Sequence, residues 1–221
     1  MARETEILKR VGAVLVWVGS LDIALMIYCI AKGFSYSSSF NIFAVVAGVF
    51  LLRASLRAAS VIRRFSLMIL TFLGGAFIVL LFVQPMGLFL TELRLDPGAS
   101  LAAAAQIALA FVLLFWIVRE LGREPVLAAI DDEGLKPLDI RKPIAIGVAA
   151  AIVLAILFTF LFTGRSAERA KSIAGQQYGP GYRYTVSSLF INSNNKGTFV
   201  SGVVTAWNDR EIRKIPVHFQ E

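Results

Sequence analysis

An acidic residue inside an apolar segment is the sharpest chemical signal in the sequence. Asp22 falls near the centre of the apolar run Val11–Ala31, where a carboxylate is unfavourable by about 2.5–3.5 kcal/mol on membrane-insertion scales. Arg53 is its candidate partner, because it lies at a similar depth if the second apolar segment continues as a helix toward Val61. We therefore predict an intramembrane polar pair. It acts as a proton or ion relay or a substrate counter-ion, or it is structural, as an ion pair or a hydrogen-bonded, protonated acid.

Three further arginines follow Arg53 without an intervening acid. Arg57, Arg63 and Arg64 complete the segment Arg53–Arg64, which lies between two apolar runs. An excess of Lys and Arg near the ends of membrane helices stays on the cytoplasmic side. The segment therefore predicts the orientation of the chain, and its guanidinium groups are also suited to contact lipid phosphates or an acidic partner.

Three tyrosines bracket a glycine- and proline-rich turn in the C-terminal tail. Tyr178, Tyr182 and Tyr184 surround Gly179-Pro180-Gly181. Aromatic residues of this kind form belts at a membrane interface. The same side chains are also suited to a ligand or peptide surface, so both interpretations stay open: an interfacial belt or a partner surface.

The residues needed for catalysis or metal binding are not assembled in the sequence. His218 is the only histidine and Cys29 the only cysteine, so the chain offers neither a bis-histidine haem site nor a zinc-ligand set. Ser, Asp and His occur in the tail, but nothing groups them as nucleophile, base and orienter. We predict no catalytic, cofactor or metal site and interpret the protein as non-enzymatic, with Cys29 a small buried hydrophobic residue.

Composition places the chain in a membrane. Of 221 residues, 57% are hydrophobic, against roughly 45–50% in an ordinary soluble domain. Five segments approach the roughly 20 apolar residues that span a bilayer. The first segment exceeds the roughly 7–15 apolar residues of a cleavable signal peptide, so a retained helix is predicted. The predicted spans are about 11–31, 40–56, 66–83, 101–118 and 144–162.

The charges of the connections predict an N-in, C-out orientation. Lys9, Arg10, the Arg53–Arg64 segment and the link Arg119–Lys142 are basic, whereas Gly33–Ser39 and Thr91–Ser100 carry little net charge. Five crossings then leave the tail outside the cytoplasm, in a bacterial-type inner (plasma) membrane with a periplasmic domain. The net charge of +7 is explained by these membrane boundaries, so no nucleic-acid partner is predicted.

The predicted fold is a mainly α membrane protein. A five-transmembrane-helix bundle, residues 1–164, precedes a small extracytoplasmic α+β domain, residues 165–221. That domain consists of a short helix and a three-stranded antiparallel meander. Pro216 cannot donate to a ladder, so the third strand is predicted to be an edge strand or to carry a bulge. The predicted elements are the helix Ala167–Ala174, with Ser166 as N-cap, and the strands Tyr182–Ile191, Thr198–Trp207 and Ile212–Phe219, with turns at Ser193–Gly197 and Asn208–Arg210.

Connections and helix faces complete this description. Pro85 is expected to end the third span, with Leu88–Leu93 along the outer interface. The link Arg119–Lys142 is expected to form turns or a small hairpin. Small residues at four-residue spacing, which let helices approach closely, predict internal packing faces. These residues are Gly147, Ala151 and Ala155 in the fifth span and Ala44 and Gly48 in the second.

The sequence favours a binding function over catalysis. We predict a C-terminal module that binds or positions a partner in assembly, scaffolding or envelope maintenance. The predicted partners, besides membrane lipid, are another membrane or extracytoplasmic protein or a second copy of the chain. The alternative is a small transporter or channel subunit that uses Asp22, with Gly74-Gly75 and Pro85 giving the third helix flexibility.

Overall fold

The computed structural model describes residues 2–33, 41–135, 139–194 and 197–220. Most of the predicted link Gly33–Ser39, Lys136 in the fourth link, and Asn195 and Lys196 of the first tail turn lie outside these ranges. Within them the chain forms α1 (Ala2–Ala31), α2 (Asn41–Leu52), α3 (Leu56–Val83), α4 (Met86–Leu95), α5 (Pro97–Glu120), α6 (Glu124–Asp132), α7 (Arg141–Thr163), α8 (Arg165–Tyr178), β1 (Arg183–Asn194), β2 (Gly197–Trp207) and β3 (Ile212–Gln220).

Four of these helices, α1, α3, α5 and α7, are long and apolar enough to cross a membrane. Their surfaces are largely exposed apolar side chains, as expected where lipid replaces a protein core. The four helices indicate a membrane protein. The predicted span 40–56 corresponds to α2, which has 12 residues and is about 18 Å long at 1.5 Å per residue.

The connection between α2 and α3 is much shorter than predicted, because α3 already begins at Leu56. Ala54 adopts a left-handed conformation, φ 55°, and the amides of Ala54 and Ser55 donate to the carbonyls of Leu51 and Phe50. This is a Schellman-type helix end. The Ser55 hydroxyl then accepts a hydrogen bond from the Ala58 amide at 3.3 Å and caps α3. Arg57, Arg63 and Arg64 are therefore helical residues and not part of a link.

The chain divides into two compact units, Met1–Thr71 with Ala110–Gly147 and Phe72–Leu109 with Val148–Glu221. These boundaries fall inside α3, α5 and α7, so the division into residues 1–164 and 165–221 stays a prediction.

In unit 1, α1 and α2 touch through glycines. A Cβ built on Gly12 would lie 2.7 Å from the Gly48 carbonyl oxygen and 2.9 Å from the Leu52 amide nitrogen. The two backbones therefore meet directly, and the predicted packing role of Gly48 is confirmed. Beside this contact lies the core of unit 1, formed by Ile7, Leu8, Val11, Leu15, Leu51, Ala59, Ile117, Leu121, Val126 and Ile130.

The link after α5 contains a helix where turns or a hairpin were predicted. Helix α6 has a proline in its first turn, a favoured position. Val126 and Ile130, four residues apart, are buried in the core of unit 1. The prediction of a hairpin was wrong, because this link forms a nine-residue amphipathic helix that buries one stripe of side chains.

The predicted small-residue face of α7 packs against α3. In unit 1, a Cβ built on Gly147 would lie 2.6 Å from the Met68 carbonyl oxygen. In unit 2, a Cβ built on Gly75 would lie 2.5 Å from the Ala151 Cβ. Internal packing at Gly147 and Ala151 is confirmed.

The C-terminal module, residues 165–220 of unit 2, is an α8 helix on a three-stranded antiparallel sheet of order β1-β2-β3. Each strand begins and ends within three residues of its predicted position. Helix α8 begins earlier than predicted, with Gly164 as its N-cap in place of Ser166. β3 is an edge strand, as Pro216 indicated, and the register shift lies in β1 between Val186 and Ser188.

One face of the sheet packs against α8. Ala167, Ala170 and Ala174 of the helix are fully buried against Val186, Val204, Ala206, Ile215 and Val217. Because side chains alternate along a strand, Phe199, Val203 and Trp207 point to the opposite face. These three side chains share a face that α8 does not cover.

The opposite face is covered at one end by α4. A Cβ built on Gly87 would lie 2.4 Å from the Trp207 ring, so helix backbone and indole are in direct contact. Trp207 is buried, 4% exposed, and the Arg183 guanidinium lies 5.1 Å from its ring centroid. The segment predicted to lie along the outer interface is therefore part of a helix that packs on the sheet.

Candidate functional site

Asp22 and Arg53 are held at different levels of unit 1. Gly12 contacts Leu52, so Arg53 lies near the level of Gly12. Asp22 is ten residues farther along α1, about 15 Å at the helical rise. Asp22 is half-buried, Arg53 is exposed, and within the described ranges the two form no ion pair with each other.

The α3 arginines differ in their surroundings. Arg57 and Arg64 are exposed, whereas Arg63 is half-buried. A Cβ built on Gly122 would lie 3.0 Å from Arg63 Nη2 and 2.8 Å from the Val118 carbonyl oxygen. Arg63 therefore lies beside the C-terminal end of α5, where a cation is favoured by the helix dipole.

A buried acid at this end of α5 was missed by the sequence reasoning. The Glu120 side chain is 5% exposed, and its Oε1 accepts a hydrogen bond from Arg123 Nη2 at 2.6 Å. Glu120 Oε2 and Arg63 Nε are both buried and have no hydrogen-bond partner among the described residues. The available sequence signal was the spacing of three between an acid and an arginine at a helix end. Glu120 Oε2 can accept a hydrogen bond from a polar group, and Arg63 Nε can donate one.

The three tyrosines of the tail are brought together. The rings of Tyr178 and Tyr182 meet edge to face with centroids 6.5 Å apart. The Tyr184 hydroxyl donates to the Gly179 carbonyl at 2.7 Å and so fixes the turn between α8 and β1. Tyr178 is 41% exposed.

Tyr182 also ties this turn to the one between β2 and β3. Its hydroxyl donates to Glu211 Oε1, while Arg213 donates to Glu211 Oε2 from Nε at 3.1 Å and Nη2 at 2.9 Å. The hydrogen bond from Tyr182, followed by that from Arg213, holds the pKa of Glu211 below its ordinary value. The bond to Glu211 raises the pKa of Tyr182. Tyr182 and Tyr184 therefore have a structural role, because their hydrogen bonds hold the turns of the module in place.

Beyond α4, the described residues leave part of the outer face of the sheet exposed. Here Phe190 is 71% and Phe199 44% exposed. The strand register places Phe190 opposite Ser201, Asn192 opposite Phe199, and Ser201 opposite His218. We call Phe190, Asn192, Phe199, Ser201 and His218 the distal patch. It contains no Lys, Arg, Asp or Glu.

The described residues form no metal-binding group of side chains. Searched within those ranges, the chain has no group of three or more His, Cys, Asp or Glu side chains placed to hold a metal ion. His218 lies exposed in β3, and Cys29 is half-buried in α1 rather than fully buried.

Comparison with known proteins gave no significant match: no protein-family model, curated protein or solved structure resembles this chain.

Proposed function

We propose that this chain is a non-enzymatic membrane protein whose C-terminal module binds another extracytoplasmic protein through the distal patch. The observation that carries the proposal is the 71% exposed Phe190 beside the 44% exposed Phe199, on a sheet face that α4 leaves open. Aromatic side chains in a charge-free centre are typical of the core of a protein–protein interface. Its role is to position that partner at the membrane.

The occupant is a protein surface rather than a strand added to β3 or a lipid headgroup. Pro216 lies in the edge strand β3 and lacks an amide, which hinders strand addition along that edge. The distal patch has no Lys or Arg, the groups that attract anionic lipid. A partner with a complementary apolar surface and hydrogen-bonding rim fits Asn192, Ser201 and His218.

We further propose that α2 is a fifth crossing, that the N-terminus is cytoplasmic and the module extracytoplasmic, and that the membrane is a bacterial-type inner membrane. The core of unit 1 supports this, because it joins Leu8 of α1, Leu51 of α2 and Leu121 after α5. The beginning of α1 and the ends of α2 and α5 are thus at the same end of that unit. This arrangement requires α2 to return past α1. The basic residues Lys9, Arg10 and Arg57 lie at that end, which the orientation rule assigns to the cytoplasm.

Cysteine labelling tests the topology. In a Cys29→Ser background, single cysteines replace Glu6, Asp131 or Asp209, which are all exposed. A membrane-impermeant maleimide applied to spheroplasts is expected to label position 209 and to reach 6 and 131 only after permeabilisation. Labelling of 131 with protection of 6 and 209 would mean that α2 does not cross.

Site-specific photocrosslinking tests the binding proposal. A benzophenone amino acid is placed at Phe190 or Phe199 and, as controls, at Glu168 or Gln176 on the exposed surface of α8. We expect both patch positions to give an adduct of the same mass in native membranes, and the α8 positions to give none. Phe199→Asp should abolish the adduct formed at position 190. Equal adducts from α8, only lipid or self adducts from the patch, or no adduct would reject the proposal.

Transport through Asp22 is the alternative function, because the residue lies half-buried inside a candidate span. The flexibility invoked for it is not favoured: Gly75 is packed against Ala151, and Pro85 precedes α4 as its N-cap. Proton flux into proteoliposomes, read with a pH-sensitive dye, distinguishes the two functions. Flux that the wild type shows and folded Asp22→Asn lacks would favour transport. The binding proposal expects no difference.

A further inference from the structure

Helix α5 has one packed half and one bare half. In its second half Leu114, Ile117 and Glu120 are buried. In its first half every residue from 101 to 109 is exposed, on all sides of the helix. The bare half lies within a candidate membrane span, and none of the described residues of unit 2 buries it.

Gln106 is the polar residue of this bare half. Its position, 10 residues into a 24-residue helix, puts it about 4 Å from the helix midpoint at 1.5 Å per residue. Thr71 and Thr159, in other spans, donate their hydroxyls to the carbonyls of Leu67 and Ala155, each at 2.9 Å. Within the described ranges the Gln106 amide has no such partner, and in hydrocarbon an unpaired amide is strongly unfavourable.

The residues around Gln106 let another helix approach. Ala99, Ala102, Ala103 and Ala110 lie seven, four and three residues before it and four after it, which places them on its side of the helix. Side chains of this size permit close contact between membrane helices, and a glutamine between them can hydrogen-bond across the contact.

We propose that a second copy of this chain packs against the bare half of α5, with the two Gln106 amides hydrogen-bonded to each other. Copies inserted in one orientation carry Gln106 at the same depth, so a two-fold axis along the membrane normal brings the amides together. Each amide both donates and accepts, so the pair satisfies itself. An unrelated helix would need a polar group at that same depth. The inference rests on membrane insertion and is independent of the distal patch.

Disulfide crosslinking in native membranes tests the contact. In a Cys29→Ser background, Ala102→Cys lies on the Gln106 side of α5, and Ala104→Cys is a matched exposed alanine on the opposite side. Mild oxidation is expected to give a disulfide dimer with Ala102→Cys and at most a trace with Ala104→Cys. Equal dimer from both, dimer from neither, or a disulfide to another membrane protein would overturn the proposal.

The hydrogen bond is tested by changing Gln106 itself. Dimer dissociation in lipid vesicles is followed by energy transfer between labelled copies. Gln106→Leu is expected to weaken the dimer about tenfold, and Gln106→Asn to weaken it less. Leucine is more apolar than glutamine, so membrane insertion is preserved. A loss of energy transfer then reports weaker association of the two copies. A monomeric wild type, or unchanged affinity in Gln106→Leu, would contradict the pairing.

Discussion

The core of unit 1 and the core of the C-terminal module pack a helix in different ways. In unit 1 large aliphatic residues fill the space between helices, and glycines stand where α1 and α2 touch. In the module, the fully buried residues of α8 are all alanines, and most of the buried volume comes from valines and isoleucine of the sheet. Two helix backbones in contact leave room for no Cβ, whereas a helix over a sheet leaves room for one. The size of the side chain that a helix carries at such a contact therefore indicates whether it packs on another helix or on a sheet.

The largest effect is expected where two backbones meet. Gly12→Val places its first carbon 2.7 Å from the Gly48 carbonyl and 2.9 Å from the Leu52 amide, so α1 and α2 must separate. We expect the free energy of unfolding to fall by about 3 kcal/mol, measured by denaturant titration in micelles. Gly74→Ala is the control, because no atom lies within 4 Å of its Cβ position. If the two variants lose equal stability, backbone contact does not limit α1.

A smaller loss is expected in the module. Ala170 is fully buried under α8, so Ala170→Leu should lower module stability by about 2 kcal/mol through overpacking. Hydrogen exchange of the β-strand amides reads this locally. Ser172→Leu, on the exposed side of α8, should change exchange little. Equal protection in the two variants would show that α8 tolerates bulk and would remove the contrast with unit 1.

An Ala→Gly substitution should change the free energy of unfolding in opposite directions at the α2–α3 turn and inside α3. Ala54 holds a positive φ of 55°, a conformation that costs an ordinary residue about 1–2 kcal/mol. Ala54→Gly should raise the free energy of unfolding by about 1 kcal/mol. Ala58→Gly, inside α3, should lower it by about 1 kcal/mol. Two losses of equal size in the titration would mean that Ala54 is not strained.

The smallest effect depends on pH and belongs to the module alone. The pKa of Glu211 is lowered by the hydrogen bonds from Tyr182 and Arg213. Its contribution is therefore present above the pKa of the unfolded chain and is lost as pH falls through the folded pKa. Tyr182 has a raised pKa, so its contribution is lost only as pH rises through that value.

Glu211→Gln should flatten the acid side of the module's stability profile. Glu168→Gln, at an exposed site of α8, should leave it unchanged. Strand-amide exchange measured at several acidic pH values compares them. A profile unaltered by Glu211→Gln would assign the acid sensitivity to other carboxylates.

Local patterns in the sequence were sufficient for the strands and the long helices. Alternating β-branched residues and the Asn208–Arg210 turn placed β2 and β3 to within two residues. Apolar runs located α1, α3, α5 and α7. Helix α6 was missed because its buried stripe, Val126 and Ile130, is too short to show a period.

Long-range contacts explain what the sequence could not show. Nothing near Trp207 in sequence indicates that Gly87 covers it. Likewise, Glu120 reads as an exposed helix-end acid until the core of unit 1 encloses it. The Asp22–Arg53 pairing assumed that α2 continues past Arg53 at equal depth, whereas the turn at Ala54 ends the helix there. The three tyrosines lie together because one short turn connects them.

Through the contact between Gly87 and Trp207, α4 forms a second mechanical connection between the sheet and the long helices. Only Gln84 and Pro85 separate α4 from α3, and only Asp96 separates it from α5. Asp96 also stiffens that junction, because its carboxylate accepts a hydrogen bond from the Ala99 amide at 3.0 Å. A load pulling on the sheet therefore reaches the unit 2 parts of three long helices at once: α7 through Gly164, and α3 and α5 through the indole and α4. Force is shared rather than concentrated in a single tether.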